Sequence, residues 1–496
     1  MKKKTKFLAS LLTPMLGLCA IAAIPTLKSV NATSTPTDND PLIKYDFTYM
    51  DEQTEMPILG YMGVPGLAIN GSAAPSFLTR ANIQAYKDAG FNILSGLYEK
   101  VPLHNAEVRK AIEICEELNL TYFVCDNSYR SSYEEEPTSV PSKDDFKSMM
   151  ADDYYFESPA FGGIAVRDEP NIHCFDSMGN VNAALQEIDN TKIVYTNLYP
   201  KGASQGQLGF NNSNDYSSWE QYIQYVEDYI TKVKPTMLSY DCYVVTEPNA
   251  KVSDANQAVG VVGNYIRSLS MFRNYAKQNN IPFWVTIASH DHIKSWDSIP
   301  LKQTQWTVNT SLAYGAQGIQ YYSYWNDGAG TGNMDDWADQ SGARSQGLVS
   351  YNGAPTDNYY RIQKINNQIK LIDHILMQAE HKGIMQFGKQ HLELMAEDVL
   401  YSYGMLRDVS GDAFVGCFDY KGDDVYYVVN NSLDSGIKTF KADFVDTVNV
   451  KLISSAFVTP ENPEGVIIKN NVSSVGFNLT GGEGVLVEVL KWENFI

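Results

Sequence analysis

Eight short apolar runs, each followed by a helical pattern, predict a (β/α)8 barrel, and a later series of short strands without helices predicts a C-terminal β-sandwich. Breakers just before several runs sharpen the pattern: Ala89-Gly90 before Phe91, Lys234-Pro235 before Thr236, and Ile281-Pro282 before Phe283. Strand–helix alternation at this interval argues a parallel sheet, and eight repeats over roughly 300 residues suit a closed barrel. An open doubly wound sheet is the competing architecture; no GxGxxG follows the first run to support it.

The chain begins with a basic segment, Met1-Lys2-Lys3-Lys4-Thr5-Lys6, then an apolar one from Phe7 to Pro25, with small residues at Val30-Asn31-Ala32. That order predicts a signal peptide over 1–32, a secreted or extracellular protein compatible with cell-surface association, and no membrane insertion after cleavage. A retained membrane anchor is the rival reading. Residues 33–54, rich at first in Thr, Asn, Asp and Pro, read as a linker.

The barrel is expected over 55–385. Its strands are predicted at Ile58–Val64, Phe91–Leu97, Thr121–Cys125, Gly163–Arg167, Lys192–Leu198, Thr236–Tyr240, Phe283–Ala288 and Gly318–Tyr324. Helical spacing over Thr79–Asp88, Asn105–Leu118, Trp219–Val233 and Ala258–Asn279 fills gaps between them, and Asn358–Met377 closes the series. The sandwich is expected over 395–496, with strands at Asp412–Tyr420, Asp424–Asn430, Ile437–Phe444, Val448–Ile453, Gly465–Ile468, Val475–Leu479 and Val485–Leu490.

Composition narrows the function. The formal charge is −20, and losing residues 1–32 removes five lysines and no acids, giving −25. Such a surface repels phosphate backbones, so no nucleic-acid partner is expected. The cysteines left after cleavage (Cys115, Cys125, Cys174, Cys242, Cys417) have neither CxxC nor Cys/His spacing, and they read as small buried apolar residues. No phosphate loop or zinc pattern is present, and the Asp-rich stretch Asn333–Asp339 lacks the glycine placement of a calcium loop, so no cofactor or metal is expected.

In a barrel of this kind, chemistry sits where strands end at the C-terminal face. Those ends carry Glu99 after the second strand, Asp126 after the third, Asp168-Glu169 after the fourth, and Asn197 and Tyr199 at the fifth. Asp241 and Tyr243 follow the sixth strand, His290 the seventh, and Tyr322, Tyr324, Trp325 and Asp327 the eighth. Acids with aromatics and amides suit a carbohydrate substrate: one carboxyl protonates the leaving oxygen, a second attacks or activates water, and aromatic faces stack on sugar rings. The plainer account is that rim acids cap the helices that follow. Because residues alternate along a strand, Asp168 and Glu169 are expected to point opposite ways.

The segments LSYDCY (Leu238–Tyr243), PFWVT (Pro282–Thr286), GAQGIQYYSYW (Gly315–Trp325), GLVSYNGAPTDNYY (Gly347–Tyr360) and GGEGVLVEVL (Gly481–Leu490) follow in an order that resembles the clan A glycoside hydrolases, and within them the family 42 β-galactosidase-like barrels. The resemblance implies a glycoside hydrolase with Glu169 as general acid/base. It departs from the family at two places. Asp168 stands where an asparagine usually precedes that glutamate, and the seventh strand, Phe283-Trp284-Val285-Thr286-Ile287-Ala288, lacks the nucleophilic glutamate of retaining members. Asp241 is the best replacement as base or nucleophile, ahead of Asp327, Glu99 and Asp126. The alternative is a non-catalytic glycan-binding protein on a glycosidase barrel.

Overall fold

The computed structural model describes residues 55–61, 63–64, 77–96, 105–126, 129, 140–151, 153–243, 263–289, 301–325, 347–350, 353–388, 392–433 and 436–491. Eight parallel strands run β1 (Ile58–Gly60), β2 (Ile93–Ser95), β3 (Thr121–Val124), β4 (Phe161–Asp168), β5 (Ile193–Asn197), β6 (Leu238–Asp241), β7 (Phe283–Ala288) and β8 (Ile319–Tyr322). Their order is β5-β4-β3-β2-β1-β8-β7-β6, and the parallel bridge Leu198–Tyr240 joins the two ends, giving the (β/α)8 barrel. A helix follows each strand in turn: Arg80–Asp88, Asn105–Leu118, Lys143–Met150, Phe175–Ile188, Trp219–Val233, Gly263–Asn279, Leu301–Ala313 and Asp357–Leu376. None of the described helices is long and apolar enough to cross a membrane.

The helix Trp219–Val233 shows how sequence sets these elements. Ser218 and Gln221 form a capping box that satisfies the first turn. Tyr222, Tyr225, Val226, Tyr229, Ile230 and Val233 are buried at three- and four-residue spacing, and Lys234 ends the helix in the left-handed conformation just before Pro235.

The second sheet is antiparallel and begins earlier than expected, at β9 (Glu380–Phe387), inside the segment read as the end of the barrel domain. It continues with β10 (Leu406–Ser410), β11 (Ala413–Tyr420), β12 (Asp423–Asn430), β13 (Lys438–Ile453), β14 (Val466–Leu479) and β15 (Gly484–Leu490). The order is β10-β13-β15-β12-β11-β9, with β14 also paired to β13. The expected strand pairs Ile437–Phe444/Val448–Ile453 and Gly465–Ile468/Val475–Leu479 are in fact two long strands. The polar gap after Asp443 is a register shift within one strand, where Val445 is exposed, and not a turn.

Period-two alternation lets the sheet serve two cores. Val415, Cys417, Tyr426, Val428, Val485 and Val487 pack inside the sandwich, while Phe414, Phe418, Val425, Tyr427, Val429 and Leu486 pack with the barrel. Gly416 permits the closest approach, since a Cβ there would lie 2.3 Å from the carbonyl oxygen of Ala313. Polar locks fix the contact: Tyr427 OH donates to Asn309 Oδ1 (2.7 Å), Asn309 Nδ2 to the Gly482 carbonyl (2.7 Å), and Trp306 Nε1 to Asn431 Oδ1 (3.0 Å).

At the other end of the helix Leu301–Ala313 the junction is charged. Arg273 pairs with the fully buried Asp398 and also donates to His381 Nδ1 (3.1 Å). Guanidinium has only donors, so Nδ1 accepts, and the imidazole proton sits on Nε2, which donates to the Ala313 carbonyl (2.9 Å). Burial, and then the Arg273 charge, hold His381 well below the usual histidine range. Four of the cysteines (Cys115, Cys125, Cys174, Cys417) are buried, and none of the five is in a disulfide.

Candidate active site

The inner wall of the barrel grows more polar toward the C-terminal ends of its strands. Strand β5 turns Ile193, Tyr195 and Asn197 inward, β6 turns Ser239 and Asp241 in line with Met237 just before it, and β7 turns Trp284 and Thr286. The lower members form an apolar plug with Leu59, Ile93, Phe123 and Ala165. The upper ones meet in a buried polar network. Asn197 Oδ1 accepts from Ser239 Oγ (3.0 Å) and Thr286 Oγ1 (3.1 Å), while Asn197 Nδ2 donates to Asp241 Oδ1 (3.4 Å).

Strand β4 reaches this network through two irregularities. Gly162-Gly163 slip the register against β3, and Gly163 sits at φ +154°, where a Cβ would lie 2.0 Å from the Ile193 carbonyl oxygen. Higher up, Ala165 pairs with Tyr195 but Arg167 pairs with Thr196, so one extra residue is accommodated. That bulge reverses the parity of the strand's end, and Asp168 pairs with the inward-facing Asn197. Tyr61 OH, from the end of β1, donates to Asp168 Oδ2 (2.7 Å).

Glu169 then leaves the strand in the left-handed region, at φ +46°, with its N–H on the Asn197 carbonyl (2.8 Å). A β-carbon residue held there stores on the order of 1 kcal/mol or more of strain. The expectation that Asp168 and Glu169 face opposite ways is therefore corrected: bulge and turn break the alternation, and both carboxyls act on Asp241.

The electrostatics follow from this crowding. Burial, and then the Asp168 charge, push Glu169 up to about 7. Asp241 is 3% exposed, and burial, Glu169 and Asp168, in that order, hold its carboxyl well above the usual range. Among the described residues no group of three His, Cys, Asp or Glu side chains is arranged to hold a metal ion.

Around the carboxyls stands an arc of tyrosine rings. Tyr61 lies 5.5 Å from Tyr322, which lies 5.7 Å from Tyr243, centroid to centroid. The structure thus brings Asp168, Glu169, Asn197, Asp241, Tyr243 and Tyr322 together. It places other candidates elsewhere. Tyr324 is buried in the outer core against Tyr86 (4.6 Å) and Phe91 (5.4 Å), and Trp325 is buried against Phe77 (4.9 Å), so neither ring is an open platform. Tyr199 packs on the outer core, its carbonyl held by Tyr222 OH (2.8 Å). The electrostatic neighbours of Asp126 include Tyr129 and Tyr155. Glu99, His290, Asp327 and the segment Asn333–Asp339 lie outside the described residues, as do residues 1–54.

Sequence reading passed over Tyr61, Tyr195, Ser239, Thr286 and Gln320. One signal was available: in β5, β6 and β8 a polar residue stands two positions before the last inward one, which puts it on the same face.

No family model matches the chain, and no curated protein sequence does. Among solved structures it is similar to a β-galactosidase from the psychrophilic Marinomonas ef1, at TM-score 0.44 and 11% identity over 66% of this chain and 63% of that one. The chain thus spans less than two thirds of that enzyme's length. It is also similar to a GH27 β-L-arabinopyranosidase from Geobacillus stearothermophilus (TM-score 0.46, 8% identity, 91% and 99% covered). A third similarity is to AmyP in complex with maltotriose (TM-score 0.48, 10% identity, 90% and 99% covered). Likeness at this level assigns no activity to this chain.

Proposed function

We propose that this chain is a glycoside hydrolase of the clan A type, acting on a poly- or oligosaccharide. In this reading Glu169 is the general acid and Asp241 is the second carboxyl, serving as base or nucleophile. The observation that carries the proposal is the convergence of Asp168, Glu169 and Asp241 beside the buried polar wall of the barrel. Burial and like charge raise Glu169 to about 7, which keeps a carboxyl protonated near neutrality and ready to donate to a leaving oxygen. The tyrosine arc supplies apolar faces and hydroxyls of the sort that bind sugar rings. Asp168, anchored by Tyr61, sets the charge that Glu169 feels. The seventh strand, Phe283–Ala288, carries no acid, and its Thr286 supplies a hydroxyl that donates to Asn197 Oδ1.

The test is product formation on a panel of plant, fungal and bacterial glycans, wild type beside Glu169→Gln, with NMR following the anomeric configuration of the first product. Turnover lost in the variant with sugar binding kept supports the acid assignment. Equal turnover in both proteins overturns it. Binding without any product in the wild type favours the pseudoenzyme, a reading supported by the absence of an acid anywhere in β7. Export through residues 1–32 is likewise proposed, and N-terminal sequencing of protein from culture medium should read Thr33 first.

A further inference from the structure

The hydrogen bonds beside and below the carboxyls have a direction. Tyr195 OH donates to Gln320 Oε1, which leaves the Gln320 amide nitrogen to donate to Ser239 Oγ (2.7 Å). Ser239, accepting there, gives its own proton to Asn197 Oδ1 (3.0 Å), and Thr286 Oγ1 gives a second one (3.1 Å). With its oxygen doubly occupied, Asn197 has only N–H groups left to offer Asp241. Each donor sense is fixed by the one before it, and such chains strengthen cooperatively in a dry interior. Tyr195, Asn197, Ser239, Thr286 and Gln320 are all buried, with Asn197 level with Asp168 and Thr286 level with Asp241 in the strand register.

We propose that Asn197 is the positioning residue of this site: locked by Ser239 and Thr286, its amide NH2 fixes where the Asp241 carboxyl points. This rests on the glycosidase reading for its catalytic meaning, though not for its geometry. It also gives strand β7 a role, since Thr286 acts on Asp241 through Asn197. The groups that face Asp241 are Asp168 and Glu169 from the end of β4, Tyr195 from β5, Tyr222 from the helix Trp219–Val233, and Cys242 and Tyr243 beyond its own strand. Amid that repulsion, a backbone hydrogen bond at Asp241 itself and the Asn197 amide favour the ionised form, and the amide is the side-chain contact among them.

The experiment compares Thr286→Val, Thr286→Ser and Ser239→Ala. Carbon-detected NMR would follow the Asp241 carboxyl, its signal identified by its loss in Asp241→Asn. Thr286→Val and Ser239→Ala should move that titration to higher pH, and Thr286→Ser should bring it back. On a cleaved substrate, kcat should fall roughly 3- to 10-fold in the first two with KM nearly constant. A folded Thr286→Val or Ser239→Ala whose Asp241 titration matches wild type overturns the proposal. Full activity in Asp241→Asn would instead remove Asp241 from the catalytic assignment, while the titration shift would still decide whether Asn197 positions it.

Discussion

Two buried aspartates, one at each end of the barrel, meet opposite surroundings. Asp398, under the sandwich, is faced by the Arg273 guanidinium, whose charge opposes the upward push of burial. Asp241, at the mouth, is faced by two more carboxyls that add to that push. A buried charge is tolerated when it is paired, and an unpaired one is costly. The junction follows that rule and the mouth breaks it. A fold can hold Asp398 for stability alone, but like charges crowded around Asp241, with Glu169 in a strained turn beside them, reduce stability and need another reason to exist. The proposed hydrolysis would supply one.

Substitution at each end should therefore give opposite phenotypes. Glu169→Gln should lower kcat by about 10²- to 10⁴-fold, the range of general acid catalysis, with an unfolding midpoint equal to or above wild type. Arg273→Ala should do the reverse, leaving kcat unchanged and costing about 3–5 kcal/mol of stability, because it strands Asp398 without its partner. Thermal melts and initial rates on the same preparations would decide. Lost activity together with a lowered midpoint in Glu169→Gln would mean that the mouth is a structural site like the junction.

The pH dependence of stability separates the two ends next. Glu169 titrates near 7 when folded and in the ordinary glutamate range when unfolded, so the folded state holds the proton more tightly. Its contribution is fully present at low pH and is lost as pH rises from about 4.3 to about 7. His381 is depressed, so its contribution is present above about 6.5 and is lost as pH falls below that value. Denaturant unfolding across pH should show Glu169→Gln flattening the neutral-side decline and His381→Gln flattening the acid-side one. Neither variant altering its limb would break the contrast.

Most of the fold was legible because it depends on local pattern. Apolar runs of strand length, helix caps such as Ser218 and Gln221, and stops such as Lys234-Pro235 act within a few residues of chain. The misread parts depend on partners. Whether Val166 is accommodated as a bulge is settled by β5, and only then does Asp168 turn toward Asn197. Tyr324 and Trp325 carry the composition of a sugar platform, but Tyr86, Phe91 and Phe77 claim their faces. β9 was hidden by its charged start, Glu380-His381-Lys382, whose place in the fold is settled by partners, since Arg273 and the Ala313 carbonyl bind His381. Carboxyl placement at strand ends was visible in the sequence; the hydroxyl and amide layer that aims one of them was not, because polar residues inside a barrel look like interruptions of a strand.

The smallest effect offers the sharpest contrast, since the same atom is removed at both ends. Tyr61 OH donates to Asp168 at the mouth (2.7 Å), and Tyr427 OH donates to Asn309 at the junction (2.7 Å). Each tyrosine is largely or wholly buried, and each Tyr→Phe change deletes one hydrogen bond while keeping the ring. A net cost of about 0.5–1.5 kcal/mol in stability is expected of Tyr427→Phe, with kcat/KM untouched. Tyr61→Phe frees an acceptor on Asp168, the charge that acts on both Glu169 and Asp241, so its cost should appear in turnover as a roughly 3- to 10-fold loss of kcat/KM and a displaced pH optimum. If Tyr61→Phe changed stability alone, the hydrogen bond would be part of the barrel's packing, and Asp168 would have to act on Glu169 without help from β1.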